Sequence, residues 1–363
     1  MWALIKKDLA IWVRSPAVMA VTLLPPLALL LVLALQAVAV TSYPVAIVNE
    51  DPRGAAAATL VRTAEAYNGF RTQLLSPADA QAAYANLQVA AILTIPPGFS
   101  ADLAAGRRPS LTWAVRNFNA DSTDDLRRAL PDVVTSFLAT GAAGADPIGI
   151  AIREQDVHPH DAGLVAFEMV GMLAMLMLQA GLINAGLAAV KEWETGSVKE
   201  LLISPVPALR LIAGKVVAGV VAADLAGVVV TGLTVAFGLL PTPTLTQGLI
   251  ALAAMTLLAS FGAGIGVALA AALRSGDRMN PVAINASFYL FFLSGGVVAL
   301  AYLPAWLRAV ARVIPNTYAV SALRQTLLYG STAGTGTDML WLAVAAAVGL
   351  VVGVPALRRG LAH

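Results

Sequence analysis

A polypeptide segment that crosses lipid must satisfy its own backbone hydrogen bonds, which takes about 20 apolar residues wound as a helix. This chain carries several such runs. Residues 17–40 hold no charge, 164–190 are apolar apart from Glu168, and 216–273 are apolar apart from Asp224. The last of these is too long for one helix. Pro241-Thr242-Pro243 divides it, because proline lacks the backbone donor and breaks helices. Residues 281–301 and 339–357 are the remaining apolar runs. The predicted fold class is therefore an α-helical polytopic membrane protein with six transmembrane helices, plus a small α/β extracytoplasmic domain between the first two. Composition agrees. Only 12% of the 363 residues are charged, against about 25% in soluble domains, and the mean hydropathy is +0.78. Ala37-Val38-Ala39 resembles a signal-peptide cleavage site. A signal core spans only about 7–15 residues, however, so a retained first span is expected.

Charge orients the spans, since Lys and Arg are enriched in cytoplasmic loops. The five lysines, Lys6, Lys7, Lys191, Lys199 and Lys215, precede the first span or lie between the second and third. Arg14, Arg210, Arg274, Arg278, Arg358 and Arg359 fall on the same side. Both termini are expected in the cytoplasm of a bacterial cell whose inner membrane holds the chain. The expected divisions are a cytoplasmic interfacial helix (1–16), the first span (17–40) and the extracytoplasmic domain with its linker (41–163). The second span (164–190), a cytoplasmic link (191–212), spans three to five (213–301) and an outer segment (302–337) come next. The sixth span (338–357) and a cytoplasmic tail (358–363) complete the chain. The pI of 9.0 comes with a net charge of only +2 and no dense basic stripe, so nucleic acid is not an expected partner. Cysteine is absent, which excludes disulfides, thiolate catalysis and Cys-based metal sites.

Within 41–163, short apolar runs alternate with helical stretches. Strands are predicted at Val45-Ala46-Ile47-Val48, at 70–75, at 89–95 ahead of Pro96-Pro97-Gly98, and at 111–118. An alanine-rich helix reaches Tyr67, Ser76-Pro77 starts a second, Ser100 is placed to cap a third, and a fourth covers 122–140. Serine before a proline is a strong helix start. Residues 141–163, rich in Gly, Ala and Pro, read as a linker. The alternation implies layered α/β packing, and the roles it admits are substrate binding, gating of an exit, contact with a periplasmic partner, or a structural cap that supports a dimer.

The link after the second span reads Lys191-Glu192-Trp193-Glu194-Thr195-Gly196-Ser197-Val198-Lys199-Glu200-Leu201-Leu202-Ile203-Ser204-Pro205. Gly196-Ser197 breaks the long helix, and Ser197 can cap a short second one. Val198, Leu201 and Leu202 share one apolar face of that short helix, which Pro205 ends. Such a helix suits docking into a groove on another protein, or simply lying at the interface. This run resembles the type-2 ABC exporter permeases, in which two glutamates, Gly-(Thr/Ser), a further acidic residue, Leu-Leu and (Ser/Thr)-Pro come after the second span. Glu192, Glu194, Gly196, Ser197, Glu200, Leu201, Leu202, Ser204 and Pro205 carry the likeness. Residues 2–14 before Ser15-Pro16 resemble that family's amphipathic N-terminal helix. Leu303-Pro304-Ala305-Trp306-Leu307 and the run containing Pro315, Asn316, Tyr318 and Arg324 resemble its outer segment, where two short helices dip back into the outer leaflet.

The resemblance spans the whole chain and implies several things. Residues 192–205 couple to a separate ABC ATPase subunit, which holds the ATP and Mg. This chain binds no cofactor and is not itself an enzyme. The permease pairs with a second permease chain, itself or a similar paralogue. Membrane lipid surrounds it, and a periplasmic adaptor is a further candidate partner. The residues concur on one point: no phosphate-cradling Gly-x-x-x-x-Gly-Lys-(Ser/Thr) loop occurs, since Gly214-Lys215 is followed by Val216 and preceded at position 209 by Leu.

Charges within lipid are functional candidates by default. Asp224, Glu168, Gln179 and Asn184 are the candidate lining of a translocation path, with interhelical hydrogen bonding as the alternative, above all for Gln and Asn. Gly262, Gly264 and Gly266 read as sites of close helix packing. His158 and His160, flanked by Asp156 and Asp161, are too few for a structural zinc site of four ligands, and no metal is expected. The expected function is export of a hydrophobic or amphipathic substrate, drug or lipid-like, from the cytoplasm or inner leaflet. The alternative is a membrane receptor or scaffold that senses a ligand through the extracytoplasmic domain.

Overall fold

The computed structural model describes residues 42–116, 120–141, 149–156, 162–196 and 208–362. The chain divides into two compact units. One is an α/β unit built on the described residues of 42–167, joined by residues 298–309. The other is a helical unit built from the described residues of 168–297 and 310–362.

In the α/β unit, strands β1 (Tyr43–Asn49), β2 (Phe70–Leu74), β3 (Ala91–Ile95), β4 (Ser110–Val115) and β5 (Ala151–Asp156) form one sheet in the order β2-β1-β3-β4-β5. β1 pairs in parallel with β2 and β3, β3 pairs antiparallel with β4, and β4 pairs in parallel with β5. Helices α1 (Ala55–Ala66), α2 (Pro77–Ala85), α3 (Phe99–Ala104) and α4 (Ala120–Ala139) connect the strands. β1 and β3 are buried almost throughout, as continuous apolar strands covered on both faces should be. β4 alternates buried and half-buried residues and turns Leu111, Trp113 and Val115 inward. From α4, Leu126, Leu130, Val133 and Phe137 lie along one face and are fully buried.

Two local readings differ from the sequence expectation. The Ser76 hydroxyl caps α2 as predicted, accepting from the Asp79 N–H at 3.2 Å. Ser100, expected to cap its own helix, instead accepts from the Ala57 N–H at 3.1 Å and so caps α1 from across the fold. The 141–163 linker is also not wholly irregular, because residues 151–156 form the edge strand β5. That strand has no apolar alternation and all six residues are exposed. Its backbone pairs with β4, and Arg127 of α4 reaches Glu154 at 2.6 Å and Asp156 at 3.3 Å.

The helical unit holds α5 (Leu164–Glu194, which begins in the α/β unit), α6 (Ala208–Ala236), α7 (Leu245–Leu273), α8 (Gly276–Leu293), α10 (Pro315–Leu323) and α11 (Thr335–Ala362). The short α9 (Ala305–Ala311) precedes α10, and a π turn (Arg324–Leu328) comes after it. Residues 237–244 separate α6 from α7. Thr244 starts α7 with a reciprocal capping box to Gln247. Four of the described helices are long and apolar enough to cross a membrane: Leu164–Glu194, Ile212–Ala236, Leu245–Leu273 and Thr335–Gly360. The expected first span, 17–40, lies outside the described residues. The expected fifth, 281–301, is not among these four. Its helix α8 starts earlier, at Gly276, has 18 residues and ends at Leu293, where Gly295 turns into the left-handed region at φ 80°. The other long helices run past their apolar cores, because backbone hydrogen bonding continues into the polar ends.

α7 is the central helix. A side chain at Gly262 or Gly266 would meet the α5 backbone at Leu178 or Leu182 closer than 3.0 Å. One at Gly264 would meet Gly349 of α11 just as closely. Small residues on two faces thus let α7 touch two helices at backbone distance.

Candidate functional site

The second span leaves the bundle through residues 191–196, and the geometry there is specific. Gly196 adopts φ 73°, a left-handed conformation that ends α5. Just before it, three successive side chains reach three other helices. Glu192 pairs with the Lys215 ammonium of α6, and both side chains are about 20% exposed (20% and 21%). Lys215 also donates to the Ala188 carbonyl at 2.8 Å. Trp193 lies under the Arg274 guanidinium, 5.8 Å from ring centre to cation, and Arg274 is the left-handed residue that caps α7 at its C-terminus. Glu194 accepts the Gly276 N–H at 2.8 Å, the first N–H of α8, whose N-cap residue Ser275 makes no side-chain cap. Arg274 also donates to the Gly360 carbonyl of α11 at 3.4 Å. One end of the bundle therefore gathers the C-terminal ends of α5, α7 and α11 and the N-terminal ends of α6 and α8. Lys191, Arg210, Lys215, Arg274, Arg278, Arg358 and Arg359 all belong to that end.

Gly196 is the last predicted coupling residue that the structure describes before α6. Ser197, Glu200, Leu201, Leu202, Ser204 and Pro205 lie outside the described residues, as do residues 2–14, His158 and His160. Trp193 and its cation Arg274 were missed by sequence reasoning. Lys215, immediately before the apolar run that begins at Val216, was the available signal for a partner to Glu192.

The four candidate path residues have different surroundings. Asp224 accepts from the Thr256 hydroxyl of α7 at 2.9 Å, and its other oxygen is buried without a hydrogen-bond partner. Glu168 lies instead within electrostatic reach of Arg324. Gln179 is half-buried and Asn184 is exposed. Among the described residues no side-chain hydrogen bond joins either to Asp224. Two open apolar clefts flank the bundle. One of about 240 Å³ is lined by Met169, Met172, Leu176 and Val230. The other, of about 460 Å³, lies beside Arg312, Tyr318, Trp341 and Val348. Among the described residues no group of three or more His, Asp or Glu side chains is placed to hold a metal.

The outer-segment residues fasten the turn at the end of α8. Pro315 occupies the first turn of α10. Asn316 donates to the Ser294 hydroxyl at 2.7 Å, and Arg324 donates to the Gly295 and Gly296 carbonyls at 2.8 and 2.7 Å. The Tyr318 hydroxyl donates to the Arg312 carbonyl at 2.6 Å, and its ring stacks on Trp341 at 5.7 Å. These four residues position structure in this chain.

Four helices long and apolar enough to cross a bilayer, with seven basic side chains gathered at one end of the bundle, define a membrane-spanning protein. A sequence model described as ABC-2 family transporter protein matches residues 17–354, and the chain belongs to that family. It is 25% identical over 265 residues to the inner membrane transport permease YhhJ of Escherichia coli, covering 69% of this chain and 66% of that one. It is 22% identical over 352 residues to the probable multidrug ABC transporter permease YbhR of the same species, covering 94% and 93%. With the probable multidrug ABC transporter permease YbhS it shares 28% identity over 166 residues, 46% of this chain and 44% of that one. Across the first of these relatives the match therefore spans just under two thirds of the relative's length.

Proposed function

We propose that this chain is the permease of an ATP-driven exporter in the inner membrane. Residues 197–205 dock on a separate ABC ATPase, and a second permease chain completes the translocation path. ATP and Mg reside on the ATPase, and closure of its subunits pulls on the link between α5 and α6. The observation that carries the reading is the link itself. It leaves a helix ended by a left-handed glycine, at the end where the basic residues gather. Lys and Arg favour the cytoplasmic side, so the link and both termini face the cytoplasm and the α/β unit faces outward. The relatives named as multidrug permeases and the apolar clefts support a hydrophobic or amphipathic cargo, drug or lipid-like, moved outward.

The test is affinity capture from native membranes in mild detergent, comparing the unaltered chain with Glu200→Arg combined with Leu201→Asp. Recovery of a nucleotide-binding ATPase with the unaltered chain, and its loss with the variant, supports the docking role. If no ATPase accompanies the unaltered chain, the exporter reading is wrong.

A further inference from the structure

Family likeness places Glu192 and Glu194 among residues that meet the ATPase, yet each carboxylate already holds another helix of the permease: Glu192 the Lys215 ammonium of α6, and Glu194, at an exposed position, the first N–H of α8. The first N–H groups of a helix have no partner within it and carry partial positive charge. A cap normally comes from the residue just before the helix. The cap on α8 comes from Glu194, 82 positions earlier and at the end of a different span. Such a charge-assisted hydrogen bond is short and directional, so α8 cannot withdraw from α5 without breaking it. Glu192 makes the equivalent tie to α6 through Lys215, and Trp193 lies against the cation that ends α7. All three ties sit within four residues of Gly196, where the link begins.

We propose that Glu192, Trp193 and Glu194 clamp the cytoplasmic ends of α5, α6, α7 and α8 into one body. Glu194 is the positioning residue that carries displacement of the link to α8. This rests on the coupling reading above. Without the clamp, a pull on the link would move α5 and α6, its two covalent neighbours, and hold the start of α8 only through non-directional packing of Met279 on Gly186 and of Gly276 beside Leu187.

The chain has no cysteine, so spin labels can be placed on a clean background at Lys191→Cys and Arg278→Cys, both exposed positions. The distance between them is measured by double electron–electron resonance in the permease–ATPase complex in nanodiscs, with and without ATP. Co-purification of the ATPase is scored first, and its absence overturns the coupling reading and the clamp with it. With the ATPase bound, the clamp keeps the 191–278 distance narrow and unchanged on ATP addition. Glu194→Ala then shifts or broadens it with ATP by about 5 Å, one helical turn. Glu194→Gln, whose amide oxygen still accepts from Gly276, behaves like the unaltered chain.

Glu194→Ala with Ser275→Asp separates transmission from stability, because it restores a cap to α8 from its own N-cap position without restoring the tie. Thermal stability should return while the ATP-dependent spread persists. The clamp is overturned if that double variant regains the narrow distance, if the Glu194→Ala distance stays fixed with ATP, or if the unaltered distance itself moves.

Discussion

Arg324 is only 8% exposed and directs its guanidinium at two successive carbonyls, those of Gly295 and Gly296. Gly295 holds φ 80°, which only glycine adopts without strain. The turn leaves its carbonyls facing inward, away from any helix ladder. A planar fork of donors can satisfy two neighbouring acceptors at once, and an ammonium cannot. Arg324→Ala should therefore lower stability by on the order of 3 kcal/mol, since it orphans two buried carbonyls. Arg324→Lys should lie between that variant and the unaltered protein. Thermal unfolding in detergent micelles orders the three, and equal stability of Lys and Arg at this position would refute the fork argument. The role was not legible in the sequence. Arg324 belonged to a recognisable outer segment, but nothing in the linear order tied it to glycines 29 and 28 positions upstream.

At the scale of elements, the small residues of α7 decide which helices it touches. Gly264 and Gly353 approach one another across the α7–α11 contact, with no room for a Cβ on either. Gly264→Leu should push the two helices apart and destabilise the bundle by roughly 1–3 kcal/mol, the usual range for overpacking. Gly232→Ala on α6, where the added carbon meets nothing within 4 Å, is the control and should be neutral or slightly stabilising. Comparing the unfolding midpoints of both variants with that of the parent checks the pair. Gly262, Gly264 and Gly266 could be read from sequence as close-packing sites, but not which neighbour each one meets. β5 is the opposite case. Ala-Ile-Arg-Glu-Gln-Asp has no apolar period to mark it as a strand. It pairs because β4 presents a free edge and Arg127 neutralises two of its carboxylates.

For the whole molecule, the gathering of basic residues at one end of the bundle turns the charge rule into a geometric statement. A membrane-impermeant thiol reagent should label Leu74→Cys, which replaces a side chain 60% exposed, from outside intact spheroplasts. Arg278→Cys should react only after permeabilisation. The reverse pattern would invert the proposed orientation. Hydrophobic run length and lysine placement are local properties, and they sufficed to indicate a membrane bundle, its breaks at Pro241 and Gly196, and an α/β insertion. They are legible because lipid tests each segment separately for internal hydrogen bonding and apolar surface. The structure alone decided that residues 298–309 join the α/β unit, where Arg308 donates to the Leu87 carbonyl at 2.9 Å. It alone turned Glu194 onto α8 and shortened the fifth apolar run to a helix of 18 residues. Each of these depends on a donor and an acceptor far apart in the chain. Their meeting is set by how helices and strands pack, which no local pattern of residues encodes.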